Sequence, residues 1–371
     1  MTAAEMAAST RLAPHIRDGF SLERAMRCVV VALVPCLFMA LYNTGLQANI
    51  ALAVAGSNAV PDWRLAWLRA MGLGIQPSDF WAAVVHGGLY LVPVLVVTVV
   101  VGGLWERLFA HYRRRPLGEG FVVVALLFVL LLPPTIPLWK AALGISFAIV
   151  VGKEIFGGTG RNFLNPALVG IAFLYVTYPK DMVVETAWAI PDAFTSATYL
   201  QEAADKGVAE IAWLPTAWLK TFLGLVPGGF GTTSTLACLI GAGYLLYTRV
   251  ASARVMGGVL LGMLLTSLLV NQLDGVGNAY VGLPWFWHLT MGSFAFGAVF
   301  LATDPVSAAA TNKGRWIYGL LIGFAVVVIR VLNHSHPDGM MFAILLGNIF
   351  APLIDYLVMR ANIRRRMRRR G

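Results

Sequence analysis

The chain has 371 residues, of which 58% are hydrophobic and 12% charged. Soluble domains carry about a quarter charged residues, so a water-soluble globule is excluded and a polytopic membrane protein is expected. The formal net charge of +10 sits at the ends of apolar runs and in an Arg-rich C-terminus, a placement that suits anchoring to anionic lipid better than nucleic acid. Cys28, Cys36 and Cys238 lie in apolar stretches without a Cys-x-x-Cys pair, so neither a disulfide framework nor a metal or cluster site is expected of them. The first stretch is polar, which argues against a cleavable signal peptide.

A bilayer span takes about 20 apolar residues. In chain order the expected spans are 28–56 (with a kink or break), 80–104, 120–134, 138–152, 164–178, 232–247, 255–271, 288–303, 316–333 and 339–358. The third and fourth are short and joined by Leu132-Pro133-Pro134-Thr135-Ile136-Pro137, which cannot continue as helix. The stretch 213–231 ends in Pro227-Gly228-Gly229-Phe230-Gly231 and reads as re-entrant or interfacial, allowed at membrane depth only where protein covers it. The expected fold is therefore all-α, with about ten transmembrane helices in a five-plus-five inverted repeat. It divides into a cytoplasmic segment 1–27, a first half 28–178, an outer loop and re-entrant segment 179–231, a second half 232–358 and a cytoplasmic tail 359–371. A weak echo between Gly160–Pro166 and Gly347–Pro352 fits such a repeat.

With the N-terminus inside, most of the 28 basic residues fall on the inner side, as the positive-inside rule requires. Among them are Arg24, Arg113, Lys153, Arg249, Arg315 and the tail from Arg360 to Arg370. The loop between spans five and six then faces outward.

Ionisable groups inside spans are costly and mark function by default. Asp355 follows the apolar run 341–354, and two readings stay open: a hard oxygen ligand for a cation, or a partner of Arg360 near the inner surface. Glu106 ends span two beside Arg107, where a headgroup-level acid is the simpler reading. Asp304 precedes Pro305, so an N-cap competes with any other role. Gly157-Gly158-Thr159-Gly160-Arg161-Asn162-Phe163-Leu164-Asn165-Pro166 is the densest polar motif. It lacks a Walker ending and a dinucleotide spacing, which argues against nucleotide binding. Asn162 and Asn165, three apart on one expected helix face, suit either the edge of an isoalloxazine ring or broken backbone. His86, His288, His334 and His336 are too scattered for a haem or metal site.

Within the outer loop, Asp192-Ala193-Phe194-Thr195-Ser196-Ala197-Thr198 resembles the acceptor motif of a flavin transferase, which links FMN through its phosphate to the final threonine. An ordinary Ser/Thr-supported turn is the alternative. Taken with Asp18–Asn49, Gly157–Gly170, Asp304–Tyr318 and Pro337–Asn362, this block makes nearly the whole chain resemble the NqrB/RnfD family of membrane subunits. The closer likeness is to the NqrB branch, found in the sodium-translocating NADH:quinone oxidoreductases. The RnfD branch, found in the Rnf complexes, is the sister group.

The resemblance implies a bacterial inner-membrane translocase subunit with both termini cytoplasmic and the Thr198 loop periplasmic. Its partners would be other subunits, ubiquinone, Na⁺, the lipid bilayer and a flavin transferase. By residue, it implies covalent FMN at Thr198, riboflavin beside Asn162 and Asn165, quinone near Gly102 and Gly103, and sodium uptake involving Glu106 and Asp355. Two flavins would give stepping stones across a hydrocarbon layer about 30 Å thick. No nicotinamide fingerprint is present, so NADH oxidation is expected on another subunit. Two positions depart from the family pattern: Ser196 stands where Gly is common, and Thr232 follows Gly231 where Glu is often found. The alternatives are an Rnf-type subunit in a ferredoxin:NAD complex and a non-redox transporter built on the same repeat.

Overall fold

The computed structural model describes residues 21–55, 63–74, 76–114, 120–182, 216–272, 282–333 and 338–369, and among them every regular element is helical. In order these are α1 Leu22–Ala55, α2 Trp63–Ala70, α3 Phe80–Tyr112, α4 Phe121–Leu131, α5 Leu138–Ile149, α6 Pro166–Thr177, α7 Pro179–Met182, α8 Ala217–Leu223, α9 Thr235–Tyr247, α10 Ala253–Val270, α11 Trp285–Thr290, α12 Phe294–Phe296, α13 Asn312–Leu332 and α14 Met340–Arg368. Five of them, α1, α3, α10, α13 and α14, are long and apolar enough to cross a membrane. Apolar side chains such as Val31, Val34 and Phe38 on α1, or Leu261, Leu265 and Leu268 on α10, are exposed. The chain is thus hydrophobic outside as well as inside, as lipid requires.

Several expected spans change form. The first, expected with a kink or break, is unbroken through Pro35. Span eight is discontinuous: α11 stops at an extended Met291, Gly292 takes φ +68°, and α12 runs into a π-helical turn at Gly297–Leu301. Span four likewise ends in a π turn, Val150–Glu154. The Pro-rich hairpin after α4 is as expected, and the glycine-rich stretch 227–231 explains how it is tolerated. Phe230 N–H donates to the Leu132 carbonyl at 3.1 Å and Gly231 N–H to the Leu130 carbonyl at 2.7 Å. Carbonyls that the end of α4 leaves without helical partners are satisfied by this loop.

Two seams hold the helices at backbone contact, where small residues replace the hydrophobic drive that lipid removes. In the first, Gly45 of α1 lies against the Ala83 carbonyl of α3, and Gly87 of α3 against the Leu41 carbonyl of α1. In the second, Gly258 and Gly262 of α10 interlock with Gly319 and Gly323 of α13. A β-carbon at Gly262 would stand 2.5 Å from the Leu320 carbonyl oxygen, and one at Gly319 2.6 Å from that of Val255. Buried Asn43 and Asn49 of α1 finish the first seam, donating to the Val226 carbonyl at 2.8 Å and bonding His86 Nδ1 at 2.7 Å respectively.

Three helix pairs recur in order along the chain, although the close α1–α3 pair has no equally close α9–α10 counterpart. Helix α3 packs on α5 as α10 packs on α13, α5 on α6 as α13 on α14, and α1 on α4 as α9 on α12. The sequence echo is weaker than this pattern, because Pro166 opens α6 whereas Pro352 lies inside α14.

Candidate functional site

The π turn after α5 places Lys153 and Glu154 against the end of α3. Lys153 Nζ donates to both Glu106 oxygens at 2.8 Å, with both side chains buried. Arg113 donates to the Glu154 carboxylate at 2.8 Å and to its backbone carbonyl at 2.6 Å. Glu106 and Arg113 are two helical turns apart, so neighbouring residues of the turn grip one face of α3. Both expectations for this region are corrected. Lys153 is a buried residue of the π turn rather than of a loop, and Glu106 is a buried partner of Lys153 rather than a headgroup-level acid beside Arg107. The physical reason is that each charge is tolerable in the interior only beside the other.

Gly157, Gly158 and Gly160 take φ of +109°, +94° and +89°, carrying the chain away from the π turn to Asn162 and Asn165. These asparagines do not share a helix face, because Pro166 occupies the first helical position and both precede it. Asn165 is the N-cap of α6, accepting from Ala167 N–H at 3.0 Å, and its amide donates to Asp304 at 3.3 Å. Asn162 donates to the Leu164 carbonyl at 2.9 Å. Asp304 caps a turn instead of a helix, accepting from Val306 N–H at 3.2 Å and Ser307 Oγ at 2.8 Å. Burial pushes its carboxyl above the ordinary carboxylate range, against the hydrogen bonds from Ser307, Val306 and Asn165.

Lys153, Thr159, Asn162, Asn165 and Asp304 line a narrow cavity of about 40 Å³ between α1, α4, α6 and α9. It shares Val250, Ala251, Thr303, Asp304 and Pro305 with a vestibule of about 580 Å³ that also carries Arg24, Arg249 and Arg315. These arginines come from the N-terminal segment and two connections expected on the same membrane side. The crevice alone holds only small molecules such as water, whereas the vestibule has the volume of a cofactor pocket. Among the described residues the Thr159 hydroxyl is buried without a partner. The hydroxyl could bond the polar edge of a flavin seated in the adjoining vestibule, whereas the two amides and the Lys153 ammonium are engaged with protein groups.

The glycine pair is covered by the protein itself. A β-carbon at Gly102 would stand 2.6 Å from the Phe121 ring and one at Gly103 3.7 Å, so the flat ring on this backbone is that of Phe121. Asp355 accepts from Ala310 N–H at 2.7 Å, Thr311 N–H at 3.0 Å and Thr311 Oγ1 at 2.5 Å. It therefore clamps the start of α13, whose N-cap is Thr311. Among the described residues no ion pair joins it to exposed Arg360. Thr198, His334 and His336 lie outside the described residues. Among those described, no cluster of His, Cys, Asp and Glu could hold a metal. Cys36 and Cys238 are buried with sulfurs 3.9 Å apart.

One residue was missed by sequence reasoning. Arg330 of α13 is fully buried and donates to the His288 and Met291 carbonyls, both at 2.9 Å. It stabilises the break after α11. Its signal was available as a basic residue within the apolar run 320–332.

The chain matches the family described as "NQR2, RnfD, RnfE family" over residues 9–364. The NqrB subunit of the Na(+)-translocating NADH-quinone reductase of Pseudomonas aeruginosa (strain LESB58) is 49% identical over 364 residues, covering 98% of this chain and 90% of that protein. Its counterpart from Chromohalobacter salexigens is 49% identical, covering 97% of this chain and 87% of its own length. That from Azotobacter vinelandii is 48% identical, covering 98% and 90%. These relatives are subunits of one kind of enzyme complex, and together with the family match they establish that the chain belongs to the NQR2, RnfD, RnfE family.

Proposed function

We propose that this chain is the membrane subunit of a bacterial inner-membrane, sodium-translocating NADH-quinone reductase, with FMN esterified to Thr198 and riboflavin held at the Asn162–Asn165 crevice. Electrons reach ubiquinone, which the resemblance places by Gly102 and Gly103 and which would therefore meet the Phe121 ring that covers them, and the Na⁺ path includes Glu106 and Asp355. NADH is oxidised on a companion subunit, and a flavin transferase attaches the FMN. The observation that carries this reading is the polar crevice with its orphaned Thr159 hydroxyl and adjoining vestibule, at the residues that the resemblance assigns to riboflavin. When bound, flavins supply the electron chemistry, while the protein contributes position and electrostatics. Asn162 and Asn165 would orient the ring edge, and Lys153 would supply positive charge beside it. The shared vestibule of Arg24, Arg249 and Arg315 supports placing the N-terminus on a basic, cytoplasmic side. The five-plus-five division is supported by three helix pairs that recur in order along the chain.

The test is fluorescence of the denatured subunit in a gel. The parent chain retains flavin and Thr198→Ala loses it while the complex still assembles. Absence of retained flavin in the parent would favour a non-redox transporter, and FMN found by mass spectrometry on Thr195 or Ser196 would overturn the Thr198 assignment. The family also contains Rnf subunits. Electron flow from NADH to ubiquinone in the purified complex, rather than between ferredoxin and NAD, distinguishes the proposed reading.

A further inference from the structure

We propose that α2 is an interfacial anchor, whose Trp63–Trp67–Met71 face lies in the boundary between the headgroups and acyl chains of one leaflet. The helix has eight residues, too few to cross a hydrocarbon layer about 30 Å thick. Both of its faces are apolar. Leu65 and Leu68 are buried and pack with Leu52 of α1 and with Val85 and Leu89 of α3. On the other side Trp63 is 51% exposed, Trp67 60% and Met71 47%, at intervals of four residues that align them on one face. Its charged residues are Arg64 and Arg69, and the Arg64 guanidinium is stacked over the Tyr90 ring at 4.1 Å. A helix that is apolar on both sides needs a cover on each, and α1 and α3 supply one.

The level of α2 in the bundle identifies the other cover. Arg27 of α1 and Arg107 of α3 are exposed charges that mark one edge of the apolar layer. A helix crosses that layer in about 20 residues; counted from Arg107 it reaches the far edge at Gly87, and counted from Arg27 at Gln47. Gly87 lies against Gly45, so the two helices place the edge at one level. Val85 and Leu89 flank Gly87, while Leu52 stands about 7 Å beyond Gln47, within a headgroup layer about 5–7 Å deep. Helix α2 therefore straddles the edge. Tryptophan suits this depth, because its ring is apolar and its indole N–H can reach water or a lipid ester oxygen. The surface below is already covered by lipid: Val92, Val96 and Val100 are exposed, and they share a face of α3 with Val85 and Leu89. The Trp face continues that stripe upward. Helix α3, with 33 residues, is about 50 Å long and could ride up or down in the thinner hydrocarbon layer. The anchor sets its depth.

The test is depth-resolved photolabelling of the intact complex in phospholipid nanodiscs. One phospholipid carries a diazirine near the ester end of its acyl chain and another carries it at the chain terminus; adducts are located by mass spectrometry. Segment 63–71 is expected to take several times more adducts from the first probe than from the second, and segment 96–100 the opposite. If segment 63–71 stays unlabelled by both probes while segment 96–100 is labelled, the proposal is overturned. Labelling of segment 63–71 chiefly from the chain terminus overturns it as well. Replacing Trp67 with photoreactive benzoylphenylalanine tests the other occupant directly: adducts to phospholipid are expected, and adducts to another polypeptide of the complex would show that protein, not lipid, covers this face.

Discussion

Asp355→Asn separates a structural clamp from an ion ligand. The carboxylate receives three hydrogen bonds from Ala310 and Thr311, and it faces the positive end of α13. An asparagine has one acceptor oxygen, so at least one donor loses its partner or meets an N–H group. Hydrogen bonds to a charged group contribute about 1.5–3 kcal/mol and neutral ones about 1. The charge beside a helix N-terminus adds about 0.3–1 kcal/mol. The first turn of α13 should therefore lose about 2 kcal/mol of local stability, equivalent to roughly thirtyfold faster opening. Hydrogen exchange followed by mass spectrometry on residues 310–316 of the purified complex reads this directly. The sodium concentration for half-maximal quinone reduction, measured on the same preparation, reads the ion role and is expected to rise. Exchange at the parental rate would refute the clamp. Unchanged sodium dependence in the assembled variant would remove Asp355 from the ion path.

Three further outcomes are expected. Arg330→Met should sharply reduce the complex recovered from membranes, because two buried carbonyls at the α11 break lose their donor, at about 1–3 kcal/mol each; recovery at the parental level would refute the stabilising role. Gly262→Val should prevent close approach of α10 and α13 and abolish assembly, while Gly243→Ala, whose added carbon meets nothing within 4 Å, should leave size-exclusion profiles unchanged. Replacing Asn162 and Asn165 with Leu should lower extractable riboflavin but leave the gel fluorescence of the Thr198 flavin intact, and equal riboflavin content would reduce the pair to backbone caps.

The apolar runs made the membrane class and most helices legible, because length and hydropathy suffice for that. Proline and glycine marked the α4–α5 hairpin and the loop at 227–231, although not that one supplies hydrogen bonds to the other. What could not be read was pairing at a distance. Glu106 and Lys153 are 47 residues apart, and each alone is explained more simply by an interface or a loop. A π turn differs from an α-helix by one residue in register and leaves no composition signal, so the turn that presents Lys153 was invisible. The asparagines were found, but their placement on a helix face failed because Pro166 starts the helix after them. Asp355 was recognised as costly, whereas its partners proved to be backbone N–H groups and a hydroxyl, which carry no charge to search for.

The glycine seam between α10 and α13 has a mechanical consequence. Backbones that interlock every fourth residue cannot slide smoothly, because each intermediate offset drives a carbonyl into the opposite chain; the next accommodating position is one full turn away, about 5.4 Å. The seam therefore works as a detent, holding the two helices in one notch and making them a single stiff beam. Small displacements that accompany turnover must then be absorbed elsewhere. The helical ladder is interrupted instead at the gap after α11 and at the two π turns, one of which carries Lys153.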